Sequence, residues 1–377
     1  MKLFNILSAS ALVLLSYTAV SAKSADFRDV QYAFDEEKTK AAEDSFHFLR
    51  SYVDYFNRLV NENKADLKAN NNKLSSVTGS CVGDAHAENF GTLIQKDNTS
   101  LFTMNDMDDF GPCPVVFDLF RFAVSSNLYD KNIDMDQILS SYVSGLKNES
   151  ITQPDSIQKM LNKSEKKGAE TSAQKIQANR IVRDSLMTEV NADDERQILS
   201  VVNKFNSDLP ASFKILDLVS TRKVGGGSGG LLRFEVLIAD GNKLVQLEFK
   251  EEVKPCIYPV ATETIPNLPE RLQKAIAIEQ GSLASQFYAS AQISDRSMLV
   301  RPRFAGNIGI SLKDSTNDEN AKIIYFEAYT LGLIHSRSVT DVKAYKEMIK
   351  NISKEDLESD VQQMAQMFNN KFELLKK

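Results

Sequence analysis

Two short polar stretches, separated by one predicted strand, constrain the fold of this chain more than any other feature. Residues 82–91 read Val-Gly-Asp-Ala-His-Ala-Glu-Asn-Phe-Gly, and residues 105–109 read Asn-Asp-Met-Asp-Asp. Asp84 and Asn89 are five positions apart, so one short loop can direct a carboxylate and a carboxamide into the same cleft. The apolar run before the second stretch predicts a strand, whose tip would carry further carboxylates. Such a convergence suits a hard cation and a transferred phosphoryl group.

Turn chemistry is the alternative for either stretch alone, because Gly-Asp and Asp-Asp pairs often bond to nearby backbone in turns. The two stretches together flank a predicted strand, and Asp118 follows within Phe-Asp-Leu-Phe-Arg at residues 117–121. This combination favours one functional site over two unrelated turns.

The first 22 residues predict a secretory signal peptide. One basic residue, Lys2, precedes a mostly apolar stretch over residues 3–20, and the small residues Ser21 and Ala22 follow it. Polar residues interrupt the apolar stretch, which argues against an uncleaved membrane anchor. We expect cleavage after Ala22, and therefore an exported chain that is soluble, periplasmic or secreted, and without a transmembrane segment.

Length, charge and cysteine count limit the remaining possibilities. The net charge of −6 argues against general binding of nucleic acid. The 377 residues exceed what one compact core usually holds, so we expect two lobes. Of the three cysteines, Cys81, Cys113 and Cys256, two can form a disulfide in an oxidising compartment. The sequence chooses neither the pair nor the oligomeric state.

The hydrophobic pattern predicts helices at both ends of the chain and strands between them. Two β-rich runs, residues 231–238 and 243–250, surround Asp240-Gly241 and predict a hairpin. The Lys- and Glu-rich residues 162–178 are the best candidate for a boundary. Helical patterns cover residues 30–63, 118–129, 135–146, 155–161, 269–290 and 317 onward, and an extended segment covers 298–304.

A glycine-rich segment before the predicted hairpin suggests a phosphate cradle, because backbone N–H groups without side chains can approach phosphates closely. A flexible linker is the alternative. Lys250, on the returning strand, could hold phosphate oxygens, and Glu279 or Glu270 on the following helix could orient it. Leu231 stands where a Walker motif requires lysine. The candidate cradle residues are Gly225, Gly226, Gly227, Ser228, Gly229 and Gly230.

These motifs together resemble an uncharacterised bacterial family, a domain of unknown function. The family is grouped with protein-kinase-like and aminoglycoside-phosphotransferase-like folds. The resemblance extends from about Phe46 to Arg337 and depends chiefly on three motifs. They are Gly-Asp-x-His-x-x-Asn-Phe-Gly at 83–91, Asn-Asp-x-Asp at 105–108, and Phe-Asp-x-x-Arg at 117–121.

The resemblance implies an α+β, protein-kinase-like fold with a large helical lobe and a small β-containing lobe. Kinases place the glycine loop before the catalytic loop, whereas here it follows, so the order is circularly permuted. Residues 23–214 would form the helical lobe with its catalytic and metal loops. Residues 215–312 would form the small nucleotide lobe, and residues 313–377 would complete the helical lobe.

The resemblance also implies a role for each motif residue. Asp84 would be the base that orients an acceptor hydroxyl, and His86 would help to shape its loop. Lys250 would contact phosphates of ATP or another nucleotide under the glycine loop, while Asp118 would brace the catalytic loop. Magnesium (or manganese) would be held by Asn89, Asp106 and Asp108. Met107 departs from the family pattern, which has phenylalanine there.

Three functions follow as hypotheses. The first is a transferase that uses a metal and a nucleotide to move a phosphoryl (or nucleotidyl) group to an unidentified acceptor. The second is a catalytically inactive kinase-like binding module. The third is a metallophosphoesterase, suggested by Asp84-x-His86, although such enzymes need more histidines than His47 and His335. We expect His47 to be an ordinary helix residue, and His335 to lie at a helix end where positive charge is favoured.

Overall fold

The computed structural model describes residues 34–68, 74–208, 213–222 and 228–377. The predicted signal peptide and Gly225, Gly226 and Gly227 therefore lie outside the described residues. Within the described ranges, no helix is both long and apolar enough to cross a membrane.

The described chain combines α-helices with antiparallel sheets. The helices are α1 (Glu36–Ala41), α2 (Ser45–Ser51), α3 (Val53–Asn63), α4 (Val116–Tyr129), α5 (Met135–Leu146), α6 (Asp155–Lys167), α7 (Ala192–Asp208), α8 (Leu268–Glu279), α9 (Asn317–Ser338), α10 (Val342–Lys350) and α11 (Lys354–Lys376).

The strands pair in four groups. They are β1 (Thr78–Cys81), β2 (Phe90–Ile94), β3 (Ser100–Met104), β4 (Gly111–Pro114), β5 (Ile176–Gln177), β6 (Arg180–Ile181), β7 (Phe213–Arg222), β8 (Leu232–Asp240), β9 (Lys243–Glu252), β10 (Ala289–Ile293), β11 (Arg296–Pro302) and β12 (Ile308–Gly309). The largest sheet has the order β10-β11-β9-β8-β7, and smaller sheets are β12-β2-β3, β1-β4 and β5-β6.

Local chemistry explains where several elements begin and end. The β8–β9 hairpin turns at Asp240-Gly241 as predicted, and Gly241 has φ +60, which glycine adopts without steric cost. The pattern over residues 30–63 predicted one helical stretch, but the described part contains three helices. Asp44 caps the second of them by accepting from the His47 amide at 2.9 Å, and Tyr52 leaves helical geometry before the third.

Three other predictions from the pattern need correction. The helix predicted over 269–290 ends at Glu279, and Ala289 and Ser290 belong to β10. The helix predicted over 155–161 continues to Lys167. Helix α7 was not predicted, because its charged first turn obscured the apolar face that contains Ile198 and Val202.

Two separate apolar clusters support these elements. The larger contains residues from most helices and from β1–β4, while the second lies between α7 and the five-stranded sheet. Helices α5 and α9 cross at two glycines. A Cβ atom added at Gly145 would lie 2.1 Å from the Tyr329 carbonyl oxygen, and one added at Gly332 would lie 2.1 Å from the Tyr142 carbonyl oxygen. The missing side chains therefore allow the two helices to pack closely.

Candidate active site

The loop after β1 carries Asp84, and a side chain of helix α4 holds the start of this loop through hydrogen bonds. The Asp118 carboxylate accepts hydrogen bonds from the backbone amides of Val82 at 2.7 Å and Gly83 at 3.1 Å. Gly83 has φ +84, and a Cβ atom there would lie 2.3 Å from the Asp109 carbonyl oxygen. A side chain at this position would push the two acidic loops apart.

Asp118 belongs to a buried chain of hydrogen bonds that joins four helices. His335 Nε2 lies 3.1 Å from Asp118 Oδ2, and His335 Nδ1 lies 2.6 Å from the Tyr142 hydroxyl. The Tyr345 hydroxyl lies 3.1 Å from that of Tyr142. His335 is fully buried, so the expectation of a simple helix-end residue was incomplete. It supports the carboxylate that holds the loop.

Asp84 is held as an ionised carboxylate. Arg121, on α4, donates to Asp84 Oδ1 from Nε at 3.1 Å and from Nη2 at 2.5 Å, and His86 Nε2 lies 3.5 Å from Asp84 Oδ2. Burial alone would raise the pKa of Asp84, but the neighbouring His86 and Arg121 lower it further than burial raises it. The net result is a lowered pKa on a side chain that is still 23 % exposed. Asp84 can therefore accept a hydrogen bond at neutral pH.

Asn89 and Asn105 connect the two polar stretches. The Asn89 side chain donates from Nδ2 to the Asp84 backbone carbonyl at 2.9 Å, which leaves the amide oxygen as an acceptor for another partner. Asn105 donates from Nδ2 to the Phe90 carbonyl at 2.7 Å, and its own amide donates to the Asn89 carbonyl at 3.0 Å. These hydrogen bonds fix the two loops against each other.

Lys250 reaches the acidic stretch from β9, the central strand of the largest sheet. Its Nζ lies 3.1 Å from Asp106 Oδ2 and also contacts Asp108 Oδ2. The side chain of Lys250 is 1 % exposed. Burial lowers the pKa of this ammonium, but Asp106 and Asp108 raise it by more. The lysine from one half of the chain is thus charged and paired with the carboxylates from the other half.

The two carboxylates beside Lys250 have opposite pKa shifts. Burial raises the pKa of Asp106, but Lys250 and Arg301 together bring it well below its usual range. Burial and the negative charge of Asp106 hold the pKa of Asp108 well above its usual range.

Glu279 lies on α8 as predicted but does not pair with Lys250. The nearest acidic partners of Lys250 are Asp106 and Asp108, and neither Glu279 oxygen has a hydrogen-bond partner among the described residues. Burial raises the pKa of Glu279 well above its usual range. Its predicted role in orienting Lys250 is therefore not seen in this structure. The other candidate, Glu270, lies in the first turn of the same helix and is exposed.

A disulfide joins the strand before the Asp84 loop to the strand after the acidic stretch. Strands β1 and β4 are neighbours, which brings Cys81 and Cys113 to a Cα–Cα distance of 5.7 Å. Cys256 lies outside this disulfide, and its backbone amide donates to Asp109 Oδ1 at 2.5 Å. The pairing that the sequence left open is thus Cys81–Cys113.

The two polar stretches meet at a cavity of about 370 Å³, and the residues that line it do not include Lys250 or Glu279. Predicted site residues that line it are Asp84, His86, Asn89, Asp106, Asp108 and Ser228. His47 also faces this cavity from α2, where it pairs with the Asp44 carboxylate at 2.7 Å. Gly229 and Gly230 follow Ser228 in a turn before β8, and Gly230 has φ +81.

The donor set at the crevice suits a hard cation without forming a complete cage for it. Asp106, Asp108 and the Asn89 amide offer oxygen ligands, which magnesium prefers. Across the described ranges, no group of three or more His, Cys, Asp or Glu side chains is arranged to hold a metal by itself. Magnesium sites often use one or two carboxylates together with water and substrate phosphates. The residues present therefore fit magnesium bound together with a phosphate ligand.

Sequence reasoning missed several residues of this site. Arg121 was noted only as part of a motif, yet it holds Asp84. Arg301 links the acidic stretch to the sheet through Asp106 at 3.0 Å and Glu248 at 2.6 Å. Arg271 donates to the backbone carbonyls of Asp108 and Phe110. The partners of Arg271 and Arg301 lie far from them in the sequence, so no local signal singled out these arginines.

The fold and the site define a mixed α/β protein in which an acidic double loop meets a lysine from an antiparallel sheet. The chain belongs to the bacterial family described as "Uncharacterized protein conserved in bacteria (DUF2252)", whose model matches residues 33–143 and 126–374. No curated protein and no solved structure matches the chain.

Proposed function

We propose that this chain is an exported transferase that uses magnesium (or manganese) and ATP or another nucleotide to move a phosphoryl or nucleotidyl group to an acceptor. One observation carries the proposal. Lys250 lies against Asp106 and Asp108, although about 140 residues separate them in the chain. Lys250 is buried beside Asp106 and Asp108, and these two carboxylates share a cavity with the ionised carboxylate of Asp84. This arrangement suits phosphate transfer better than it suits a structural ion pair.

The order of elements around Lys250 supports a protein-kinase-like, two-lobe fold with permuted order. Kinases cover the phosphates with a glycine-rich loop and place the phosphate-binding lysine on the third strand of the small lobe. Here residues 225–230 lie between β7 and β8, Lys250 is on β9, and α8 follows before β10. The proposed lobes are residues 23–214 with 313–377, and residues 215–312. Ile198 and Val202 of α7 nevertheless pack with the sheet.

Asp84 is the proposed base. Because Arg121 and His86 keep it ionised, it can accept a hydrogen bond from an acceptor hydroxyl and fix the orientation of that hydroxyl. The acceptor oxygen forms a bond to phosphorus as the bond from phosphorus to the leaving phosphate oxygen breaks. The electron pair of that bond leaves with the nucleoside diphosphate in phosphoryl transfer, or with pyrophosphate in nucleotidyl transfer, and the hydroxyl proton passes to Asp84. In this structure the Lys250 ammonium donates to Asp106 and Asp108. Its proposed role is to contact the phosphate oxygens when the nucleotide is bound.

Asn89, Asp106 and Asp108 would hold the metal. When bound, a divalent cation neutralises charge on the phosphate oxygens and on the leaving group. The protein's own contribution is position. Asp118 fixes the loop of Asp84, Asn105 ties Asn89 to the acidic stretch, and Arg301 sets the orientation of Asp106.

The Cys81–Cys113 disulfide supports export, because disulfides persist in oxidising compartments and are rare in the cytosol. In this proposal, residues 1–22 are the signal peptide that directs export, and cleavage follows Ala22.

A catalytically inactive binding module is the second candidate, and the unpaired, buried Glu279 favours it, since kinases need a glutamate paired with this lysine. The metallophosphoesterase hypothesis has no such support. It requires a two-metal cluster, and in the part of the chain that is described no three His, Cys, Asp or Glu side chains are grouped so that they could hold a metal.

A transfer assay with two labels tests the proposal. The mature protein is incubated with magnesium and ATP labelled at either the α- or the γ-phosphate, together with water or a periplasmic extract as acceptor. We expect transfer of one label by the wild type and a loss of at least about a hundredfold in Asp84→Asn. Asp97→Asn, which changes an exposed carboxyl group at the β2–β3 turn, is the matched control and should retain activity.

The outcomes separate the candidates. Transfer that is unchanged in Asp84→Asn would rule out Asp84 as the base. Nucleotide binding without transfer of either label would support a binding module. The same conclusion would follow if no nucleotide or divalent ion shifted the thermal unfolding of the protein.

A further inference from the structure

A second cavity, of about 300 Å³, lies on the other side of Asp106 from the first. Asn89 and Asp106 line both cavities, so the two spaces meet at the proposed metal ligands. The second cavity is bounded by the end of β11 and the chain that follows, residues 301–304. We propose that this cavity binds a phosphate or pyrophosphate group through Lys175, Arg301 and Arg303.

The lining of this cavity is mostly polar and positively charged. It contains three cations, Lys175, Arg301 and Arg303, and one carboxylate, Asp106. Three asparagine side chains also face it. A purine base usually enters a pocket with predominantly apolar walls. A group with several phosphate oxygens matches this lining better, because each cation presents N–H donors and no acceptor.

The protein neutralises these cations only in part. Glu248 is buried and shared by three guanidinium groups: Arg233 at 2.6 Å, Arg301 at 2.6 Å and Arg303 at 3.9 Å. Arg303 remains 39 % exposed. Glu235 and Glu248 attract the Lys175 ammonium, but among the described residues no carboxylate forms an ion pair with it. Asp106 also pairs with Arg301 at 3.0 Å, and Glu235, whose pKa burial raises, acts on Arg303 and Lys175. These carboxylates do not balance three guanidinium groups and the Lys175 ammonium, so a surplus of positive charge faces the cavity.

Lys175 and Arg303 also repel each other. Burial lowers the pKa of Lys175, and the neighbouring Arg303 lowers it further. Two like charges that share one cavity are stabilised when an anion binds between them. Arg301 is already oriented for such an anion, because Glu248 and Asp106 hold its Nε and Nη1 and its Nη2 makes no hydrogen bond to the described residues.

This inference deepens the proposed function and rests on it for the identity of the donor. If the protein is a nucleotide-dependent transferase, the phosphate groups of the nucleotide would bind in the cavity beside β11, and its base would bind elsewhere. The anion site itself depends only on the cations and would exist in a binding module as well.

Calorimetric titration of the full chain with inorganic pyrophosphate, without metal or nucleotide, tests the site. We expect one pyrophosphate per chain. The double variant Lys175→Ala, Arg303→Ala should bind at least about tenfold more weakly, because it loses two charge-assisted contacts. The control pair Lys163→Ala, Arg180→Ala removes the same two charges from exposed positions outside the cavity and should retain affinity. Urea unfolding checks that both pairs remain folded.

Three results would overturn the inference. They are no binding to the wild type, an equal loss of affinity in both double variants, and displacement of pyrophosphate by adenosine. The last result would place a base in the cavity. Asp84→Asn separates this inference from the proposed function: it should abolish transfer and leave pyrophosphate affinity unchanged. Loss of transfer activity alone therefore says nothing against the anion site.

Discussion

Removal of the Cys81–Cys113 disulfide should destabilise the protein and loosen both loops of the crevice. Cys81 lies three residues before Asp84, and Cys113 lies four residues after Asp109. The bond therefore ties the Asp84 loop, which follows β1, to the acidic stretch, which precedes β4. The perturbation is the double variant Cys81→Ser, Cys113→Ser.

The expected magnitude follows from the length of chain that the bond closes. The two cysteines are separated by 32 residues. In the chain-entropy description, a closed loop of this size restricts the unfolded state by about 3.7 kcal/mol at 25 °C. Denatured-state structure reduces such values, so we expect a loss of about 2–4 kcal/mol in the free energy of unfolding.

Urea denaturation of the wild type and the double variant measures this loss, with and without a reducing agent. Reduction should destabilise the wild type and leave the double variant unchanged. Cys256→Ser is the matched control, because Cys256 lies outside the disulfide, and its variant should keep the response to reduction. A double variant within about 0.5 kcal/mol of the wild type would refute the reasoning, as would a loss of the response to reduction in Cys256→Ser.

Three further predictions concern the loops and the crevice. Gly83→Ala should lower the free energy of unfolding, measured by thermal or urea unfolding, by at least about 2 kcal/mol more than Gly241→Ala does. Both glycines have positive φ, but only at Gly83 does a backbone oxygen, that of Asp109, occupy the space of a Cβ atom. Equal costs would contradict the close approach of the loops. Asp118→Asn should destabilise the protein by about 3–5 kcal/mol, because one of the two side-chain oxygens that accept from backbone amides is replaced by an NH₂ donor. An unchanged urea midpoint would contradict this. Burial, and then its acidic neighbours, raise the pKa of Glu252 to about 7, despite the opposing cations. The folded state therefore keeps a proton on Glu252 that the unfolded state releases near the ordinary pKa of glutamate. The free energy of unfolding therefore falls as the pH rises from about 4.5 to about 7, by up to roughly 3 kcal/mol. Glu252→Gln should remove this decline in urea titrations at about pH 5 and pH 8, and an identical pH dependence in variant and wild type would count against it.

Features set by neighbouring residues could be predicted from the sequence. The β8–β9 hairpin was predicted because Asp240-Gly241 supplies a turn with positive φ between two β-rich runs. Strand β3 and helix α5 were predicted from their apolar periodicity. The approach of Lys250 to the acidic stretch was predicted from chemistry. Carboxylates that hold a metal and a lysine that contacts phosphates would act on one ligand, a metal-bound nucleotide.

Features set by tertiary packing could not be predicted. The partner of Cys81 depends on which strand lies beside β1, and that pairing brings together residues 32 positions apart. His335 was placed at a helix end, but only the packing of α9 against α4 and α5 makes it a buried link between Asp118 and Tyr142. The three helices within the first predicted helical stretch depend on local caps that periodicity does not show.

A double-mutant cycle between Lys250 and Asp106, measured as the affinity for magnesium ATP, tests the central claim most directly. The variants are Lys250→Met, Asp106→Asn and the combination of both, and each is titrated by calorimetry. Since the two side chains are 3.1 Å apart and would share one ligand, we expect each single variant to weaken binding and the pair to deviate from additivity by about 1 kcal/mol or more. Additive effects within about 0.5 kcal/mol, or no binding of magnesium ATP by the wild type, would contradict the account.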